Sequence, residues 1–134
     1  MAASESTIAQ QRWMQWLFTL GCVSGCIAVA AGAAGAHALQ THFVDRGAEW
    51  WSLAVDYHAV HALAMLFSAW AVDRWPGSLG ARAAGACFFI GILFFCGGLY
   101  LRALGSEFPL IHLVPVGGSI WLVGWLSLAV APWR

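Results

Sequence analysis

The chain has no lysine and very little charge of either sign. Its six basic residues are all arginine, six acidic residues balance them, and the formal net charge is zero. Charged residues make up 9% of the 134, against about 25% in an average soluble protein. A soluble domain of this size could not cover its surface with so few charged groups, so a lipid solvent is implied. With no net charge and no basic patch, nucleic acid is not an expected partner. Nothing in the chain resembles a phosphate loop, a nucleophile triad or a paired-carboxylate site, so no catalytic activity of its own is expected. The exclusive use of arginine reads as compositional bias and carries no functional meaning.

Cysteine is also sparse. Cys22, Cys26, Cys87 and Cys96 all lie in apolar stretches, where a thiol acts as a small hydrophobe. Cys22 and Cys26 are spaced for one helical face and not for a zinc knuckle. A disulfide framework is not expected.

Apolar sequence is abundant. The chain is 61% hydrophobic and carries nine tryptophans, a residue that favours membrane interfaces. A membrane-spanning helix needs roughly 20 mainly apolar residues. Four runs supply them, at about 16–36, 53–72, 83–101 and 108–131. The expected fold is therefore all-α: a single integral-membrane domain, an antiparallel four-helix bundle. Between helices 1 and 2, residues 40–52 carry Glu49, Trp50 and Trp51 and read as an interfacial segment.

Four spans put both termini and the second connection on one side, with Arg12, Arg74, Arg82 and Arg134. Arg46 and Arg102 lie on the other side with Asp45, Glu49 and Glu107. Basic residues favour the cytoplasmic face, so both termini are expected inside a bacterial inner membrane. The stretch Gly32–Leu39 also resembles a signal-peptidase cleavage site, with Ala-Gly-Ala before His37. The apolar run before it is long for a signal peptide and right for a span.

In lipid, helices associate through close packing and interhelical hydrogen bonds. Gly21, Gly25, Gly32 and Gly35 on helix 1, and Gly117 and Gly118 on helix 4, are candidate packing positions. Pro109 suits the first turn of helix 4, while Pro115 should kink that helix unless it starts late.

All five histidines are expected toward one surface: His37, His42, His58, His61 and His112. The simplest reading is a polar cap that bonds helix ends. The second is a copper or zinc site, with His37, His58, His61 and Asp56 as candidate ligands, since imidazole and carboxylate suit those ions. The third is a proton or substrate path, because ionisable residues inside a membrane mark such paths.

Several motifs together resemble one known family. They are Gly32-Ala-Ala-Gly-Ala-His-Ala-Leu39, Ala54-Val-Asp-Tyr-His58 with His61-Ala-Leu-Ala64, Gly97-Gly-Leu-Tyr-Leu101, and Val114-Pro-Val-Gly-Gly118 followed by Gly124-Trp125. In these the chain is similar to the domain-of-unknown-function 423 family, which includes the transmembrane-protein-256-like group. The resemblance implies a four-helix membrane protein of uncertain function, with His37, Tyr57, His61, Tyr100 and Pro115 at motif positions. Ala34, Arg102 and Val114 depart from the family's usual Phe, apolar residue and Thr.

The leading expectation is a non-catalytic accessory or structural subunit. It would pack against the lipid bilayer and other membrane-protein subunits, or against itself. Arg102 and the aromatics Phe88, Phe89, Phe94 and Phe95 would offer contact surface. A metal-handling protein is the alternative, and a small transporter the third. No cofactor is required by the sequence.

Overall fold

A computed structural model describes residues 2–106 and 112–133. Four helices follow one another: α1 (Ala2–His37), α2 (Gly47–Arg74), α3 (Leu79–Ala103) and α4 (Leu113–Ala129). Within α3, Ile92–Cys96 wind as a π-helix. No strand occurs among the described residues. The all-α bundle expected from the apolar runs is the architecture found.

Contacts run in opposite senses along neighbouring helices. Gly35 of α1 approaches Trp51 of α2, Gly21 approaches Leu66, and the Gln10 side chain donates to the Val72 carbonyl. Gly91 of α3 approaches Trp121 of α4, and Gly124 approaches Cys87 and Phe88. Both pairs are therefore antiparallel. The turns behave accordingly. Ser78 caps α3 by accepting from Ala81 N, and its hydroxyl donates to the Ala131 carbonyl near the end of α4. The start of α1, the α2–α3 turn and the end of α4 thus share one end of the bundle. Residues 38–46 lie at the other end, where Val44 N–H donates to the Ala103 carbonyl.

Residues Thr7–His37 and Leu79–Ala103 are each long and apolar enough to cross a membrane. α4 is a shorter apolar helix of 17 residues. α1 has 36 residues, roughly 54 Å at 1.5 Å per residue, so it exceeds the ~30 Å hydrocarbon core. Large side chains such as Trp16, Val29, Phe67, Leu122 and Leu126 point outward, which is the surface a bilayer solvates.

Several boundaries differ from the sequence expectation. α2 starts at Gly47, so residues 47–52 of the segment expected to lie at the interface, with Glu49, Trp50 and Trp51, are wound into the helix, while 40–46 form the connection. Glu49 and Trp50 N–H groups both bond the Arg46 carbonyl, and Arg46 pairs with Glu49 at 2.6 Å in solvent. α4 starts at Leu113, which places Pro115 in its first turn, where no intrahelical N–H is needed. The late start that would spare the helix a kink at Pro115 is thus the one found. Pro109 lies outside the described residues.

The small residues divide into two groups. A Cβ on Gly21 would lie 2.7 Å from Leu66, on Gly35 2.5 Å from Trp51, and on Gly117 2.6 Å from the Phe95 backbone nitrogen. These positions need glycine for close approach. Gly32 and Gly118 have only ordinary contacts, and a Cβ on Gly25 would meet nothing. Gly25 is thus not a packing glycine, although its spacing from Gly21 suggested one. Gly85, Gly91 and Gly124, in contrast, are tight positions.

Of the phenylalanines expected as contact surface, Phe88 belongs to the core and Phe89 and Phe95 pack against it. Phe88 is fully buried, and Phe89, Phe94 and Phe95 are partly covered. The interior comprises Met65, Ala84, Phe88, Cys96 and Trp121, with a second group around Leu17, Ala69, Val72 and Ala131.

Candidate functional site

Because α2 begins at Gly47, its histidines lie deeper than a start at Leu53 would place them. His61 is 14 residues along a 28-residue helix, roughly 21 Å from its start. It therefore sits near the helix midpoint, not in an opening turn. Buried residues 54, 58, 61, 62, 65, 68, 69 and 72 follow helical spacing and face the bundle. Both His58 and His61 are on this face, at 5% and 4% exposure.

His58 lies between two helices. Its Nε2 is 2.9 Å from Ser24 Oγ on α1, and its Nδ1 is 3.2 Å from the Tyr100 hydroxyl on α3. Ser24 is buried as well. Hydroxyls can donate or accept, so this Ser–His–Tyr chain works in either proton direction.

His61 faces α3 and α4. Its ring centroid lies 3.6 Å from that of Trp121, with the planes 5° apart. Tyr57 extends the stack, 5.6 Å from Trp121 at 5°. The Trp125 indole N–H donates to His61 Nε2 at 3.3 Å, while Nδ1 is 2.8 Å from the Tyr57 carbonyl. An indole only donates and a carbonyl only accepts, so the proton of His61 is on Nδ1. One tautomer is fixed, and both ring nitrogens are engaged.

The Trp121 indole is itself held. It donates to the Phe88 carbonyl at 3.2 Å, where α3 passes from α to π winding. π segments are uncommon and often accompany function. Here the segment faces two ways. Phe95 packs on Trp121, while Ile92, Leu93 and Cys96 line a cleft on the other flank. That cleft, of about 250 Å³, runs between α1 and α3. His58, Ser24 and Tyr100 supply its polar groups, and Leu20, Val23, Ile27 and Phe89 complete its apolar walls. Val23, Ile27 and Leu93 are more than half exposed, so the opening faces the lipid.

The family model described as "Protein of unknown function (DUF423)" matches residues 31–118. The chain belongs to this family. It is 32% identical to the UPF0382 membrane protein YwdK of Bacillus subtilis over 118 residues, covering 88% of this chain and 96% of the relative. It is 34% identical to the UPF0382 membrane protein SAB0533 of Staphylococcus aureus over 121 residues, with coverages of 90% and 98%. A UPF0382 membrane protein of Haemophilus influenzae is 33% identical over 116 residues, covering 87% and 92%. No solved structure matches the chain. These relatives are bacterial membrane proteins by name, in agreement with the apolar helices. The DUF423 match contains His58, His61 and Tyr100, whereas Ser24 precedes it.

The metal set proposed for this DUF423 chain does not converge. His37 is exposed at the end of α1, and Asp56 faces outward from α2. His58 and His61 are three residues apart but bond to different helices. Among the described residues, no group of three or more His, Cys, Asp or Glu is placed to hold a metal ion. The i,i+3 rule put the two imidazoles on one face, yet that face spans two interhelical grooves. His42 and His112 are exposed at the same end of the bundle as His37. Arg102 lies over the Trp50 ring at 5.3 Å, a cation–π contact within the chain. Glu107, expected on the same side as Arg102, lies outside the described residues. Sequence reasoning missed Ser24 and met Trp125 only as part of a family motif, without a role. A serine in the middle of an apolar run was the available signal for the first.

Proposed function

We propose that this protein is a non-catalytic accessory subunit of the bacterial inner membrane, docked by α2 against a helix of another membrane protein. One observation carries this reading: the outward direction of Asp56. Asp56 heads a stripe with Val60, Leu63, Phe67 and Trp70, all exposed. The spacing alternates four and three residues, the seam pattern of paired helices. The apolar members would be satisfied by lipid. A carboxylate is different, because ionisable residues within spans almost always face a protein interior and find a partner there. Asp56 lies one turn inside the apolar segment that begins near Leu53. The interior it faces is that of an assembly. A second copy lying parallel would set Asp56 against Asp56, so the stripe favours a different chain that presents a cation or hydrogen-bond donor.

The reading is tested by photo-crosslinking from Leu63 and Phe67 in native membranes. A discrete adduct with one other membrane protein is expected, and Asp56→Leu should reduce it several-fold. Adducts only with lipid, or only with a second copy, would overturn the proposal.

A further inference from the structure

The lateral cleft between α1 and α3 supports a second proposal, which is independent of the docking stripe. We propose that it binds an uncharged, lipid-soluble ring carbonyl compound of the quinone type, with the carbonyl oxygen at the Ser24–His58–Tyr100 cluster.

The hydrogen-bond count leads to this chemistry. Ser24 and Tyr100 each carry one hydroxyl proton, and neutral His58 carries one ring proton. The chain has two hydrogen bonds, Ser24–His58 and His58–Tyr100. Three protons serve two bonds, so one donor always points beyond the chain. If Ser24 donates to Nε2, then His58 Nδ1–H donates to Tyr100, and the Tyr100 O–H is the spare donor. If the direction reverses, Ser24 holds it, and a helical serine can turn back to a carbonyl one turn earlier. Tyr100 has no such local recourse. Tyr100 is half-buried on the cleft wall, and its one hydrogen bond among the described residues, to His58, does not use this proton when His58 is the donor. The matching ligand group is an acceptor oxygen.

Shape and depth narrow the class. At about 30 Å³ per water-sized group, the 250 Å³ cleft holds about eight such groups, a substituted six-membered ring. Gly97 lies on the wall, and a Cβ there would meet nothing, so the wall recedes at that position. Phe89 and Tyr100 supply aromatic lining, which suits a planar ring. Ser24 lies near the midpoint of the 16–36 apolar run, below the level at which phospholipid esters are anchored. A molecule with no charged headgroup reaches that depth. Its apolar tail leaves past Val23, Ile27 and Leu93 into the bilayer.

Equilibrium binding of a short-tailed benzoquinone to the full chain in lipid nanodiscs tests the proposal. Saturable binding is expected, with one site per chain. Tyr100→Phe should weaken it about tenfold, equivalent to about 1.4 kcal/mol. Gly97→Leu fills the cleft and should abolish saturable binding while thermal unfolding stays cooperative. Ile27→Trp closes the exposed rim without entering the interior and should give the same loss, which covers the case in which Gly97→Leu misfolds. An alkylbenzene of equal size, lacking the carbonyl, should show only partition into lipid. The proposal is overturned if the wild-type chain shows partition alone, if binding survives both cleft variants, or if the alkylbenzene binds equally well.

Discussion

The His61 imidazole lies against the Trp121 indole at 3.6 Å, near the middle of the bundle, and Trp125 from the same helix as Trp121 donates to its Nε2. One side chain thus joins α2 to α4 by a stack and a directed hydrogen bond. α4 otherwise packs chiefly on α3, so this is its main polar tie to the central helix.

His61→Leu should therefore destabilise the bundle by about 1–3 kcal/mol, the sum of one hydrogen bond and one aromatic pair. Trp125→Phe should cost about 0.5–1.5 kcal/mol, since interhelical hydrogen bonds in membranes are modest. Both variants together should cost less than the sum, because each already removes the same bond. Unfolding of the four proteins in mixed micelles measures the coupling. Strict additivity would mean that the two side chains do not interact.

The glycines predict opposite outcomes for identical substitutions. Gly117→Ala puts a methyl group 2.6 Å from the Phe95 backbone nitrogen, and backbone cannot turn aside as a side chain can. A loss of about 1–3 kcal/mol is expected from overpacking. Gly25→Ala meets nothing within 4 Å and should stabilise α1 by about 0.5–1 kcal/mol through helix propensity. Thermal unfolding of both variants separates close-approach glycines from those that are merely common in membrane helices.

Number, order and pairing of the helices were legible in sequence because apolar run length and short turns dictate them. The faces were not. In lipid the inside and outside of a helix are equally apolar, so composition did not reveal that Phe88 points in and Phe67 points out. The start of α2 was hidden for a related reason: Glu49, Trp50 and Trp51 read as interface residues, yet the Trp51 indole is anchored to the Ala31 carbonyl of α1 at 2.8 Å. That shift of six residues moved His58 and His61 from a surface cap into the bundle. The π turn left no trace, since Ile-Leu-Phe-Phe-Cys is also ordinary helix sequence.

Engagement of both nitrogens on both buried histidines bears on metal content. Zinc or copper added to the purified chain should bind no more tightly to the wild type than to His58→Ala or His61→Ala, as measured by equilibrium dialysis with elemental analysis. A stoichiometric ion lost in either variant would require His58 to leave Ser24 and Tyr100, or His61 to leave Trp125.

Orientation in the membrane follows from arginine placement on the two ends of the bundle. The end formed by the start of α1 and the α2–α3 turn carries Arg12, Arg74 and Arg82, and the opposite end carries Arg46 and Arg102. The first of these ends should be cytoplasmic. Ser78 is unsuited to labelling because it is buried against Ala131, whereas Pro76 and His42 are exposed at opposite ends. A membrane-impermeant maleimide should label His42→Cys in intact cells. Pro76→Cys should react only after the membrane is opened. Cys22 and Cys26 face outward within the apolar run of α1, where a charged reagent does not reach, so the native thiols leave the readout clean. The reverse labelling pattern would place both termini outside and show that three arginines against two do not set the orientation of this chain.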